Sequence, residues 1–222
     1  MLPKLIVLDV NETLSDLSPL TSAFERVGLA GGEVEAWFAG VLRDGFALAC
    51  GAENPDFMRL ASESLRLRLL PVAASDDEVE RAVDEVMATF RSSDVHPDVE
   101  PGLRALSEAG VRLVTLSNGA TSVAEELLAR AGVADLVERT ISAMNARAWK
   151  PHASAYVETL EECGVRAADA MLVAVHPWDI HGAARVGLRT GWVDRGGKRY
   201  PPYFRVPEVT APGLDALAAA LA

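Results

Sequence analysis

A chain of 222 residues with a formal net charge of −11 fits one large domain, or a core that carries a smaller insertion. No apolar run approaches the roughly 20 residues needed to cross a bilayer, and no Lys/Arg cluster offers a nucleic-acid footprint; neither a membrane nor a nucleic-acid partner is expected. The same charge repels small anions, so an anion site has to be built locally from a few cations or backbone amides.

The opening MLPKLIVLDV meets Asp9 before any small-residue cleavage site, so no secretory signal is expected. Its apolar run LIVLDV predicts a strand buried on both faces. From about Pro19 to Val95 the pattern becomes helical: LTSAFERVG, EVEAWFAGVLRDGFALAC, FMRLASESLRLRLL and DDEVERAVDEVMATFRSS are amphipathic, with GAENPD and PVAASDD as turns. This block predicts a helical cap subdomain over 17–95, inserted after the first strand of a core made of 1–16 and 96–222. Beyond it, PGLRALSEAG, ATSVAEELLARAG, ASAYVETLEECG and DIHGAARVG read as helices between the short apolar strands VRLVTLSN, VERTISAM, AMLVAV and LRTGWVD. That alternation predicts an α/β fold with a doubly wound parallel sheet. The tail YPPYFRVPEVTAPG reads as an ordered surface loop before the short helix LDALAAALA. Cys50 and Cys163 lie far apart, with no His or Cys at metal spacing, and read as free thiols of a cytoplasmic protein, a single disulfide being the alternative.

The strand ends carry the polar residues. Asp9, Asn11 and Thr13 end the first strand, Ser117 and Asn118 the second; Lys150 follows the third, and His176 and Asp179 the fourth. In a parallel sheet these ends meet at one edge, so residues over a hundred positions apart converge. Asp9 is a candidate nucleophile, or a turn cap. A lysine at the same edge holds a carboxylate and lowers its pKa, which makes the pair more telling than either member. Thr13 and Ser117 can each donate a hydroxyl to that carboxylate, or merely form turns. Asn118, before Gly119, can offer its amide to a leaving group or substrate anion, or serve as a left-handed turn residue. His176 reads equally as a proton acceptor and as a strand-end histidine bonded to a carbonyl. His96 and His181 read as surface or capping residues, Trp149 and Trp178 as packing against the strand edge, and DRGGKRY as a turn.

In this order, D-x-x-x-T-L, a helical insertion, S-N, K-P-x-x-x-x-Y and W-D, the chain resembles the haloacid dehalogenase superfamily and, within it, the type II (L-2-haloacid) dehalogenases. The resemblance implies Asp9 as nucleophile, with Thr13, Ser117, Lys150 and Asp179 as further catalytic groups; His176, which departs from the family pattern, is read as a further catalytic helper. Asn11, Phe38, Arg43, Asn118, Tyr156 and Trp178 are implied to bound the substrate pocket. Where the phosphatases of the superfamily carry an acid two residues after the nucleophile, this chain has Asn11, which cannot protonate a leaving alkoxide, help typically worth about 10²–10⁴-fold. A halide needs no such acid. The dehalogenases usually show D-x-Y-G-T; here it is D-x-N-E-T, with no role evident for Glu12. Aligned on Trp37, the family's cap arginine falls on Phe38; Arg43, five residues on and about 140° around the helix, replaces it only in a shifted alignment. The family's serine and asparagine after the fourth strand become Ala174 and His176.

The expected function is therefore a cofactor-free hydrolase of a small 2-haloacid working through an aspartyl ester, possible as a homodimer. Two alternatives stand beside it: a phosphatase with Mg²⁺ on Asp9, the Asn11 carbonyl and Asp179, and a non-catalytic binding protein on the same fold.

Overall fold

The computed structural model describes residues 2–222. Strand β1 (Leu5–Leu8) leads into four helices, α1 (Pro19–Arg26), α2 (Glu33–Cys50), α3 (Phe57–Leu69) and α4 (Asp76–Arg91). Then follow α5 (Val99–Glu108), β2 (Arg112–Ser117), α6 (Thr121–Arg130), β3 (Arg139–Ser142), α7 (Ala153–Cys163) and β4 (Ala170–Ala174). The chain finishes with α8 (Pro177–Arg185), β5 (Arg189–Val193), β6 (Val209–Ala211) and α9 (Leu214–Leu221). It divides into two compact units, Met1–Ser15 with Asp94–Ala222, and Asp16–Ser93.

In the first unit the strands form one six-stranded sheet in the order β3-β2-β1-β4-β5-β6, with every pair parallel. Side chains of a strand alternate between faces, and β1 shows the consequence. Leu5 and Val7 pack with Tyr156 and Leu160 of α7 and Ile180 of α8, while Ile6 and Leu8 pack with Leu103 of α5, Leu127 of α6 and Leu217 of α9. Both faces are covered, which is why the strand sequences are apolar without alternation. Leu8 lies in register with Thr115 on one side and Val173 on the other, so Asp9, Ser117 and His176 all leave the sheet at its carboxyl edge. This sheet reverses its order about β1, the kind of point where open α/β sheets bind ligands.

The second unit holds the four inserted helices. Asp56 and Ser75 cap α3 and α4, accepting from Arg59 N and Glu78 N. Its core is aromatic: Trp37 lies against Phe24 and Phe90 at centroid distances of 5.6 and 6.4 Å, and its indole donates to Ala61 O.

One element departs from the sequence reading. The tail read as a loop contains β6, which pairs with β5. A three-residue strand between Pro207 and Pro212 is too short to show a periodic pattern. Both cysteines are free thiols, Cys50 exposed and Cys163 buried, and no helix among the described residues is long and apolar enough to cross a membrane.

Candidate active site

Asp9 lies one residue past β1, where the buried strand gives way to the turn holding Asn11, Glu12 and Thr13. Lys150 Nζ donates to Asp9 Oδ1 and to Asp179 Oδ2, both at 2.7 Å. Thr13 Oγ1 donates to the other Asp9 oxygen at 2.5 Å and accepts from Val175 N at 3.0 Å, so the hydroxyl ties β1 to the end of β4. Tyr156 on α7 donates to Asp179 Oδ1 at 2.6 Å. The result is a chain, Thr13–Asp9–Lys150–Asp179–Tyr156, drawn from the turn after β1, the turn before α7, α7 itself and α8. Trp178 walls it, with Lys150 Nζ 5.9 Å from its ring.

The two carboxylates differ in environment. Asp179 and Lys150 are 0% and 1% exposed as side chains, whereas Asp9 keeps 6% and is the less buried of the two carboxylates. Burial by itself would raise the Asp9 carboxyl, but the Lys150 ammonium, the nearby His176 ring and the Lys150 and Thr13 hydrogen bonds outweigh it and hold its pKa below the ordinary value. Asp179 goes the other way: burial and the charge on Asp9 raise it, and Lys150 and Tyr156 offset this only in part. Lys150 is pulled down by burial and pushed up more by Asp179 and Asp9, so it stays an ammonium. Burial, then Asp179, pushes the Tyr156 phenol well above its usual range, which keeps it a donor. An ionised carboxylate steadied by an ammonium and a hydroxyl can attack an electrophilic carbon; its more deeply buried partner, with its carboxyl raised, suits a proton acceptor.

A family model described as hydrolase, haloacid dehalogenase-like hydrolase, matches residues 3–187. The chain belongs to that family. This haloacid dehalogenase-like hydrolase is similar to haloacetate dehalogenase H-2 of Moraxella sp. (strain B), 36% identical over 121 residues, 54% of each chain, so that the match spans about half of that relative's length. It is also similar to the (S)-2-haloacid dehalogenase of Xanthobacter autotrophicus, 28% identical over 194 residues, 86% of this chain and 75% of that one. The solved structure of L-2-haloacid dehalogenase from Xanthobacter autotrophicus with chloropropionic acid covalently bound shares the fold, with a TM-score of 0.87 and 24% identity over 100% of this chain and 98% of that one.

Several candidate residues of the hydrolase are engaged differently from the sequence reading. Asn118 was expected to face substrate; its amide instead brackets the Lys150 backbone, accepting from Lys150 N at 2.8 Å and donating to Lys150 O at 3.2 Å. Ser117 was expected to donate to Asp9. Among the described residues its hydroxyl accepts from Gly119 N at 2.9 Å and makes no bond to Asp9, while Ser142 donates to Gly119 O. A turn after β2 therefore absorbs Ser117 and Asn118, the latter holding Lys150 in place. His176 Nε2 lies 3.3 Å from Asn11 O. A carbonyl only accepts, so this contact puts a proton on Nε2, which is the carbonyl-bonded one of the two readings. The ring stacks on Trp178 at 5.0 Å and 19°. In the four-helix unit, Phe38 is buried beside Trp37 and Phe57, and Arg43 is 76% exposed with its guanidinium on Asp44 at 2.7 and 3.1 Å.

Other residues of the hydrolase were given no part in the site by the sequence. Glu12 takes a left-handed backbone, φ +61°, where the usual family pattern has glycine. His96 Nε2 contacts Glu12 O at 3.2 Å, and Arg195 donates to Thr13 O and to Asp98, both at 2.6 Å. Consecutive carbonyls of the turn after Asp9, at 11, 12 and 13, thus meet His176, His96 and Arg195. A non-glycine at a position that needs positive φ was the one available signal.

The alternative Mg²⁺ set does not fit this arrangement. Asp9 Oδ1 and Asp179 Oδ2 are bridged by the Lys150 ammonium, and the His176 ring stands against Asn11 O. Magnesium asks for oxygens at about 2.0–2.1 Å in an octahedron, and these oxygens face nitrogens instead.

Proposed function

We propose that this hydrolase removes the halogen of a small 2-haloacid through an ester on Asp9. The observation that carries the reading is the asymmetry of the carboxylates on Lys150: the Asp9 carboxyl is held below its ordinary value and is the less buried, whereas that of Asp179 is raised, as suits the group that accepts a proton. An Asp9 oxygen attacks C2, the carbon–halogen bond breaks, and the halide leaves with the bonding pair. Asn11 in place of an acid suits this step, because a halide leaves as a stable anion. Water then attacks the carboxyl carbon of Asp9. Asp179, the other carboxylate on Lys150, takes a proton from it; the bond between the carboxyl carbon and the substrate oxygen then breaks, Asp179 returns the proton to that oxygen, and the hydroxy acid leaves as the Asp9 carboxyl ionises again. Similarity to haloacetate and (S)-2-haloacid dehalogenases supports the substrate class.

Purified protein is expected to release chloride from 2-chloropropionate in the presence of chelator, and Asp9→Asn to reduce release to background. In a single turnover in H₂¹⁸O, peptide mass analysis should find the label on Asp9. A wild-type protein that releases no halide from chloro- and bromoacetates and 2-halopropionates overturns the proposal.

A further inference from the structure

Three oxygens converge on one nitrogen beside Asp9. Around His176 Nε2 lie Asn11 O at 3.3 Å, Glu12 Oε2 at 3.6 Å and Asp9 Oδ2 at 3.7 Å. A carbonyl and two carboxylates form the kind of hard-donor set that otherwise collects a divalent cation. We infer that His176 is this chain's built-in substitute for a cation at the nucleophile, its Nε2–H filling the place from which a metal would bridge Asp9 to the Asn11 carbonyl.

The residues that hold the ring in that place come from separate parts of the chain. His176 is the residue before α8, Pro177 begins that helix, and Trp178 stacks on the imidazole. Glu12 reaches the same nitrogen because its backbone is left-handed, pinned by Ser15 Oγ on its N–H and by His96 at its carbonyl. Lys150 takes the opposite Asp9 oxygen, Oδ1, so each oxygen of the nucleophile has a nitrogen neighbour. An ion held by Asn11 O and Asp9 Oδ2 would have to compete with the imidazole for the same two oxygens. The inference rests on the proposed function for what Asp9 does, and on geometry alone for what His176 displaces. It also gives Glu12 a positioning role, as the second carboxylate aimed at the imidazole.

Mn²⁺ binding to the full chain, read from loss of the free-ion EPR signal, tests it without any haloacid. Wild type and His176→Gln, which keeps a side-chain N–H, are expected to leave millimolar Mn²⁺ free. His176→Ser is expected to bind Mn²⁺ at least tenfold more tightly than wild type, and Asp9→Asn in the same chain to abolish the gain, which separates the site from the acidic surface. His176→Ala carries the same expectation should the serine variant lack the wild-type circular dichroism spectrum. Asp9-dependent Mn²⁺ binding by wild type, or folded Ser and Ala variants that bind no better than wild type, would overturn the inference. Failure of halide release would leave this result untouched, so the two readings fail separately.

Discussion

Lys150 is the residue on which the site depends most. It is 1% exposed and neutralises two carboxylates, so removing its charge leaves both buried without a counter-charge. Breaking a buried pair in this way costs about 3–5 kcal/mol; Lys150→Met is expected to lower the unfolding free energy by about that much in urea at pH 7. A midpoint unchanged from wild type would show that the carboxylates find other partners. At Asp9 the expectation concerns pH. Its carboxyl is held below the ordinary value, so the ionised form persists as pH falls through the usual aspartate range and is lost only below it. The acid limb of kcat/KM for 2-chloropropionate, which reports the free enzyme, should therefore lie below the ordinary aspartate pKa of about 3.9. Stability carries the same sign: the contribution of Asp9 is present above that ordinary value and disappears as pH drops through the folded one. A limb above pH 5 would mean that burial outweighs Lys150.

At the scale of elements, the site is held by contacts between segments that the sequence keeps apart. Asn118, after β2, brackets the Lys150 backbone from both sides. Asn118→Ala leaves a buried N–H and C=O without that partner, at about 1–3 kcal/mol for each unsatisfied group. It is expected to lower both the thermal midpoint and kcat, with a smaller change in KM if its work is to place Lys150. Gly182 on α8 allows a close approach: a Cβ there would stand 2.6 Å from the Tyr156 hydroxyl and 2.7 Å from Pro151. Gly182→Ala should cost about 1–3 kcal/mol by overpacking and weaken the Tyr156–Asp179 bond; a variant with wild-type stability and rate would contradict this. The strands β1, β2 and β4 were legible because runs buried on both faces have a composition of their own, and their polar ends were legible as interruptions of it. The hydrogen-bond partners of those ends were not. Whether Ser117 faces Asp9 or Gly119 depends on the path of a turn, and nothing in LSNG distinguishes them. The strand β6 was hidden by its length, and the left-handed Glu12 by its chemistry, since glycine is the residue that usually announces such a position.

For the whole molecule, charge is the property that acts at a distance. A haloacid anion approaching a protein of net charge −11 is repelled at low salt. Raising ionic strength from 0.01 to 0.15 M shortens the screening length from about 30 to about 8 Å, and kcat/KM for a haloacid is expected to rise severalfold at most across that range in stopped-flow or steady-state assays. A steep fall instead would show that a local cation, and not the global field, governs capture. The sequence by itself determined the layers of the core, the helical insertion and the meeting of Asp9, Thr13, Lys150 and Asp179 at one sheet edge, because hydrophobic period and strand direction leave few other arrangements. Only the tertiary structure decided which carboxylate is the more deeply buried, that Asn118 brackets Lys150, and that an imidazole faces three oxygens beside Asp9. Those outcomes turn on burial and on distances of a few ångströms between segments up to 165 positions apart, and no local pattern encodes them.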